Sequence, residues 1–457
     1  MTDDQFDVVV LGMGPGGEVA ASRLLAAGRR VAAVERELIG GECAYWACVP
    51  SKTLLRPPEA AAEADRAVGV TRPALDWPAL RDYRDWMIRH LDDSGQVADY
   101  EKQGATVVRG TGRLAGRTPD GQLRVQVNDR MLAADDVIVA TGSHPARPPI
   151  DGLDGVPVWT NREATTLADV PGRVAMLGGG AVAVELGQFL ARMGAQVTVL
   201  ERGDRLVTRE EPRVGALTQT ALAADGVDVR VGRQVRRATR TGDGARLDLD
   251  DATTVDVDVV VLAAGRRPQV HNLGLDTVGI DVAALDGRGL RVDEHCRFGQ
   301  GLWAVGDVTG QALFTHVAKY QGRVVADTLC GRPRRAVYQG IPRVIFADPE
   351  IAAVGLTTSQ AHHRGIDVAS TEVDLPGAIA RPWTYETNPT GTLGLLADRG
   401  RGVLIGAWAL APLAGEWIHQ AALAIRAGIP LDVLRDQVAQ FPTYTEAYLT
   451  GLEQLDA

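Results

Sequence analysis

One arrangement of apolar and polar positions occurs twice in this chain. Phe6 to Leu11 has the β-branched density of a buried parallel strand, and Gly12-Met13-Gly14-Pro15-Gly16-Gly17 and a helical pattern over Glu18 to Ala27 follow it directly. A second strand, Arg30 to Val34, ends in Glu35. The same order returns at Val174 to Leu177, then Gly178-Gly179-Gly180-Ala181-Val182-Ala183, a helix to about Met193, a strand over Val197 to Leu200, and Glu201. These are GxGxxG and GxGxxA in the context that gives such motifs meaning. Gly12 and Gly178 permit the tight turn, Gly14 and Gly180 let backbone approach a pyrophosphate, and Gly17 and Ala183 let helix and strand pack closely. The strand-end acids Glu35 and Glu201 can accept hydrogen bonds from the hydroxyls of an adenosine ribose.

Between and after these units the pattern is less regular. The helix after Lys52 is expected to be short, ended by Pro57-Pro58 and resumed over Ala60 to Ala67. Ala79 to Gly104 reads as a mostly polar helix whose thin apolar stripe, Trp86, Ile88 and Leu91, is expected in the core. Strands are predicted at Ala105–Val108, Leu123–Val127 and Val137–Ala140, the last running into the small-residue turn Ala140-Thr141-Gly142-Ser143. Val259–Ala264 ends at Gly265-Arg266-Arg267-Pro268, and Leu302–Val305 at Gly306-Asp307, where a carboxylate can hold a sugar-like hydroxyl or cap a turn. From Ile341 onward come strand-like Arg343–Phe346, Ile351–Val354 and Val403–Ala407 and a helix over Trp417–Ala427, with no dinucleotide motif. An apolar α+β unit without a site of its own suggests an oligomer interface.

Composition narrows the picture. A length of 457 residues with 45% hydrophobic positions and 52 glycines indicates an α/β protein of roughly two to four domains. No run of 18 apolar residues occurs, and Met1-Thr2-Asp3-Asp4-Gln5 is acidic where a signal peptide would be basic, so the cytoplasm is the expected location. A net charge of -10 argues against nucleic acid as a partner. Lysine is rare: Lys52, Lys102 and Lys319 stand against 45 arginines.

The candidate chemistry lies in Gly40-Gly41-Glu42-Cys43-Ala44-Tyr45-Trp46-Ala47-Cys48-Val49-Pro50-Ser51-Lys52. Two of only 4 cysteines stand in this short segment. Pro50 can open a helix, whose N-terminus would favour thiolate over thiol. A redox dithiol is preferred over small buried hydrophobes. Cys296 and Cys330 are isolated and leave no second half for a metal site.

Together these motifs resemble the flavin-dependent pyridine nucleotide–disulfide oxidoreductases, among them dihydrolipoamide dehydrogenase, glutathione reductase and mercuric reductase. The resemblance covers essentially the whole chain. Its most specific part is Gly40 to Lys52, supported by Ala140-Thr141-Gly142, Gly265-Arg266-Arg267-Pro268, Gly306-Asp307 and Asp348-Pro349-Glu350 through Gly355. It implies an α/β fold with two Rossmann-like dinucleotide-binding domains and a C-terminal α+β dimerisation domain. The expected division is residues 1–150 for FAD and the dithiol, 151–268 for NAD(P), 269–337 for the rest of the FAD domain, and 338–457 for dimerisation. It also implies that NAD(P)H on the second unit reduces FAD, and FAD reduces a Cys43–Cys48 disulfide. Cys48 would face the flavin and Cys43 the substrate. Lys52 and Glu185 would form the ion pair near the flavin, Glu35 would bind the FAD adenosine ribose and Asp307 its ribityl chain. Gly12, Gly14, Gly17, Thr141 and Gly142 belong to the FAD set by the same reasoning, Gly178, Gly180 and Glu201 to the coenzyme set, and Gly265 and Arg266 are cofactor-binding candidates as well; NADH is preferred because Glu201 would repel a 2′-phosphate. Arg202 and Arg205 could reverse that preference.

The departures bear on the substrate. Disulfide-reducing members carry His-Pro-Thr-x-x-Glu near the C-terminus, supplied across the dimer, and its imidazole moves the proton in thiol exchange. Here the segment is Phe441-Pro442-Thr443-Tyr444-Thr445-Glu446. Glu446 remains as a catalytic candidate without the histidine it would orient. Mercuric reductase shares the phenylalanine but uses a C-terminal cysteine pair, whereas this sequence ends Leu452-Glu453-Gln454-Leu455-Asp456-Ala457. Glu42 beside Cys43 would raise that thiol's pKa. Tyr45 and Trp46 would either pack in the core or offer a planar acceptor an aromatic surface. The expected protein is a homodimeric FAD enzyme with its active site shared across subunits, passing electrons to a small-molecule acceptor such as a quinone. The alternatives are a dihydrolipoamide or low-molecular-weight disulfide substrate, with Tyr444, Glu446 or water in place of the histidine, and a redox-sensing scaffold that keeps only the fold.

Overall fold

The computed structural model describes residues 3–285 and 287–456, which fall into two compact units. The first comprises Met1–Pro50, Tyr83–Ala146 and Arg266–Val337. At its centre the strand Asp4–Leu11 lies between Val31–Glu35 and Arg130–Val139, with Thr106–Arg109 beyond the former and Leu302–Ala304 beyond the latter, all parallel. Both faces of this sheet are covered. Val9, Leu11, Ala32 and Val34 enter one apolar cluster and Val8, Val10, Val31 and Ala33 another. Burial on two sides is why these strands read as nearly continuous apolar runs. The helix Pro15–Ala26 packs on Thr315–Leu329 so closely that a Cβ on Gly322 would stand 2.6 Å from the Gly16 carbonyl.

The second unit comprises Ser51–Asp82, Arg147–Gly265 and Tyr338–Ala457. It repeats the scheme with Arg173–Leu177 between Gln196–Glu201 and Val259–Leu262, flanked by Asp228–Val231 and Val158–Trp159, again all parallel. Its C-terminal part is a five-stranded antiparallel sheet in the order Pro342–Ile345, Glu350–Gly355, Val403–Ala411, Thr392–Asp398, Val368–Asp374, backed by an apolar cluster that includes Trp417, Ile418, Ile425, Tyr444 and Tyr448. The fold is therefore α/β, with two Rossmann-like sheets and a C-terminal antiparallel α+β part. No helix among the described residues is long and apolar enough to cross a membrane.

Three local expectations are corrected. A single helix runs from Cys48 to Arg66 straight through Pro57 and Pro58. A proline inside a helix costs about 3 kcal/mol, but here Leu54, Leu55, Pro58, Ala61 and Ala62 are buried. Glu59 and Glu63 both pair with Arg56, and Arg66 binds Asp348 and Glu386. Packing and these tethers outweigh the lost backbone bonds. The helix also begins at Cys48, so Pro50 lies within its first turn instead of opening it. Finally, the polar helix predicted over Ala79–Gly104 is divided into Trp77–Met87, a 3-10 turn Arg89–Leu91 and Ser94–Lys102, with left-handed backbone at Arg89, His90 and Leu91. Ile88 is buried as expected, but Trp86 is 62% exposed and stacks on exposed Tyr83, and Leu91 is exposed too, so only Ile88 of the stripe is core.

Candidate active site

In the first unit the two half-buried cysteines are not joined in a disulfide, Cys43 lying within the short helix Gly41–Tyr45 and Cys48 at the head of the long one. The Cys48 Sγ lies 3.3 Å from Thr315 Oγ1, in the first turn of the helix Thr315–Leu329. A hydrogen bond with Cys48, burial and the charge of Cys48 push the Cys43 thiol up, while Thr315 and Lys319 pull it down. The lowering expected from a helix terminus is thus overridden at Cys43: two thiols this close cannot both ionise cheaply. Glu42 is not the cause of that rise. Its carboxylate lies 3.5 Å from the Arg266 guanidinium, which draws it into a separate network. Arg266 donates to Ser143 Oγ (2.7 Å) and to the Ser143 carbonyl (2.8 Å), and Ser143 Oγ donates to Asp307 Oδ2 at 2.6 Å. Burial pushes the Asp307 carboxyl up, opposed by that hydrogen bond and the Arg266 charge. Tyr45 is fully buried and so packs in the core, while Trp46 is half-buried beside it, 5.7 Å between ring centroids.

The first glycine loop fits a dinucleotide. A Cβ on Gly12 would lie 2.5 Å from the Ala140 carbonyl oxygen and one on Gly17 only 2.0 Å from that of Gly12, so both are held against backbone. Gly14 instead faces open space and precedes the helix Pro15–Ala26 with no side-chain cap. Uncapped N–H groups beside open space are what a pyrophosphate requires. Glu35 accepts from Met13 N (2.7 Å) and Glu37 N (2.8 Å). Thr141 Oγ1 donates to the Gln269 carbonyl at 2.8 Å, and Gly142, at φ +72°, accepts from Gln269 N.

The second unit carries the matching loop. A Cβ on Gly178 would stand 2.5 Å from the Ala263 carbonyl oxygen, whereas Gly180 faces open space ahead of Ala181–Arg192. Gly265, at φ +100°, has open space beside it as well. Glu201 accepts from Gly179 N and Gly203 N, each at 2.5 Å. Arg205 turns to Asp204 and the Thr208 carbonyl, leaving Arg202 as the exposed guanidinium nearest Glu201 in sequence. Lys52 Nζ lies 2.7 Å from Glu185 Oε2. Glu185 Oε1 accepts from Phe346 N at 2.9 Å, and the Lys52 ammonium stands 4.7 Å from the centre of the Phe346 ring.

In the C-terminal segment Phe441 is 72% exposed. Glu446 opens the helix Glu446–Gln454, and one of its carboxylate oxygens is buried with no hydrogen-bond partner. Tyr444 is 5% exposed and stacks on Trp417 at 6.1 Å, and burial raises its phenol.

Thr315, Lys319 and Phe346 were missed in the sequence. Thr315 and Phe346 lie in segments without a motif of their own, and the only signal for Lys319 was the rarity of lysine.

Residues 6–322, more than half of the chain, match the model of the pyridine nucleotide-disulphide oxidoreductase family, and 341–451 match its dimerisation domain. The chain belongs to this family. It is 36% identical to the mercuric reductase of Streptomyces lividans, covering 97% of this chain and 94% of that one. It is 32% identical to the dihydrolipoyl dehydrogenase of Thermus scotoductus, covering 98% and 97%. Among solved structures, the HOCl-induced flavoprotein disulfide reductase RclA of Escherichia coli in its Cu(II) complex superposes with a TM-score of 0.86 at 25% identity over 98% of this chain and all of that one. This family member is an oxidoreductase of the flavoprotein disulfide reductase group, FAD and NAD(P)H are the family's cofactors, and Cys43–Cys48 is its redox pair.

Proposed function

We propose that this protein oxidises NAD(P)H, with NADH preferred, and passes the electrons through its redox disulfide to a small acceptor whose reduction needs no imidazole at position 441. FAD, when bound, supplies the two-electron transfer between nicotinamide and disulfide. The reaction consumes NAD(P)H and one solvent proton, breaks the Cys43–Cys48 bond and leaves two thiols. Glu35, the loop Gly12 to Gly17, Thr141, Gly142, Arg266 and Asp307 would hold FAD. Gly178, Gly180, Gly265 and Glu201 would hold the coenzyme, and the Lys52–Glu185 pair would supply a fixed positive charge for the hydride transfer. Residues 1–150 and 269–337 would serve FAD, 151–268 the coenzyme and 338–457 the assembly of a cytoplasmic homodimer whose site draws on both subunits.

The observation that carries this reading is Phe441, an exposed side chain with no titratable proton. Disulfide exchange needs a proton moved at each step, and a general acid–base group contributes about a hundredfold or more. Glu446 retains an unsatisfied carboxylate oxygen but no imidazole to orient. A quinone-like or other electron-accepting metabolite avoids this need. A second reading, favoured by the likeness to mercuric reductase and to a Cu(II)-bound reductase, takes a thiophilic metal ion as the acceptor, bound between the reduced thiols.

The test is a screen of quinones, Hg(II), Cu(II), lipoamide and glutathione disulfide with NADH and with NADPH, run on the wild type, Cys43→Ser and Phe441→His. Lipoamide and glutathione disulfide should be poor substrates that Phe441→His improves by about tenfold or more. Cys43→Ser should abolish turnover of the true acceptor. Undiminished turnover in Cys43→Ser would mean that the flavin serves the acceptor directly, and rapid wild-type reduction of either disulfide would overturn the reading.

A further inference from the structure

The Lys52–Glu185 pair is held from both sides by one residue. Phe346 donates its backbone N–H to Glu185 Oε1 at 2.9 Å and presents its ring to the Lys52 ammonium 4.7 Å from the centroid, while the two charged groups meet at 2.7 Å. Glu185 is buried and Lys52 is about one-third exposed, so the ammonium is the freer partner, and it is the one the ring engages. A lysine stem with four rotatable bonds has many alternative positions, and the Phe346 ring, itself 39% exposed, restrains it at a site open to solvent.

The segment bearing Phe346 is itself anchored. Gln188 accepts from Asp348 N and donates to the Asp348 carbonyl, both at 2.8 Å, as a strand partner would. The Asp348 carboxylate receives Arg66 through two bonds of 2.8 and 2.9 Å and Arg192 at 2.9 Å. Arg192 is nearly fully buried and also binds Asp225. Arg66 lies on the helix that carries Lys52, and Gln188 and Arg192 lie on the helix that carries Glu185. Asp348 therefore ties both of the pair's helices to the strand end that bears Phe346.

We propose that Phe346 is a positioning residue for the Lys52–Glu185 ion pair, its ring fixing the lysine and its N–H the glutamate, with Asp348 as the anchor that keeps Phe346 in register. The assignment rests on the reading of that pair as part of the coenzyme-oxidising centre.

Because the chain has only three lysines, each is separately readable by peptide mass spectrometry after brief acetylation of the FAD-bound protein across a pH series. Exposed Lys102 is the internal standard. Lys52 in the wild type should react several-fold more slowly than Lys102. Phe346→Leu, which keeps the N–H and removes the ring, should raise Lys52 labelling by about two- to fivefold, while Phe346→Tyr should restore the wild-type rate. Wild-type Lys52 reacting as fast as Lys102 would overturn the proposal, whatever the stability of the variants. So would equal Lys52 labelling in Phe346→Leu and wild type, or a Phe346→Tyr protein that behaves like Phe346→Leu. The rate of flavin bleaching by NADH is read in parallel. Changed labelling with unchanged bleaching would leave Phe346 as the positioning residue and remove the pair from coenzyme oxidation.

Discussion

The two glycine loops share a frame and differ in what returns over them. In each, the acid ending the second strand takes an N–H from the loop and another from the residue two positions beyond itself: Met13 and Glu37 for Glu35, Gly179 and Gly203 for Glu201. In each, the chain then folds back and donates an N–H to the loop carbonyl, Gly40 to Met13 at 2.7 Å in the first and Val207 to Gly179 at 2.9 Å in the second. Beyond that bond they part. The first return leads through Gly40 and Gly41, both at positive φ, into the helix of Cys43. A Cβ on Gly41 would reach Gly14 Cα at 2.9 Å, so the dithiol segment is held directly against the loop. The second return leads through Arg202, Arg205 and buried Leu206 to Val207, a β-branched residue in left-handed conformation. One frame thus holds the dithiol segment against its glycine loop, and the other carries only a rim of charge.

The largest effects should come from separating frame from ligand. Gly17→Ala places a methyl where only 2.0 Å is available and should lower stability by about 3 kcal/mol or more with loss of FAD. Gly14→Ala and Gly180→Ala have space and ordinary backbone, so both should fold. The first should lose bound flavin, whereas the second should keep its flavin content and weaken coenzyme binding by about tenfold or more. Flavin absorbance per subunit and coenzyme titration read these outcomes. Equal loss of flavin in Gly14→Ala and Gly180→Ala would erase the functional difference between the loops.

A smaller effect concerns what the first return carries. The Cys43 thiol is pushed up by Cys48 and by burial and pulled down by Thr315 and Lys319. Removing the ammonium must raise it further and leave less thiolate at a given pH. Lys319→Gln should slow alkylation of reduced Cys43 by about two- to threefold near neutral pH, with a shrinking difference as pH rises, measured by timed iodoacetamide labelling. No change would place Lys319 outside the thiol's field.

Much of the frame was legible in the sequence because it depends on local rules: apolar runs, glycines that backbone contact demands, and acids at strand ends. The Lys52–Glu185 contact followed from the family's pattern and not from spacing. What was not legible is what distance in sequence hides. Thr315 meets Cys48 across 267 positions and Phe346 meets Glu185 across 161. The helix through Pro57 and Pro58 defied its local signal because the core under Leu54 and Leu55 and the anchor of Arg66 on Asp348 outweigh two missing donors. Glu42 was read against its neighbour Cys43, yet its carboxylate turns to Arg266, more than two hundred positions on.

On the proposed function, Cys43 and Cys48 store electrons delivered by NAD(P)H. Anaerobic titration with NADH, with thiols counted in the quenched protein, tests it most directly. The wild type should take up a second reducing equivalent per flavin and gain two titratable thiols that Cys43→Ser and Cys48→Ser do not gain. Flavin bleaching complete after a single equivalent, with no new thiols in the wild type, would contradict the account.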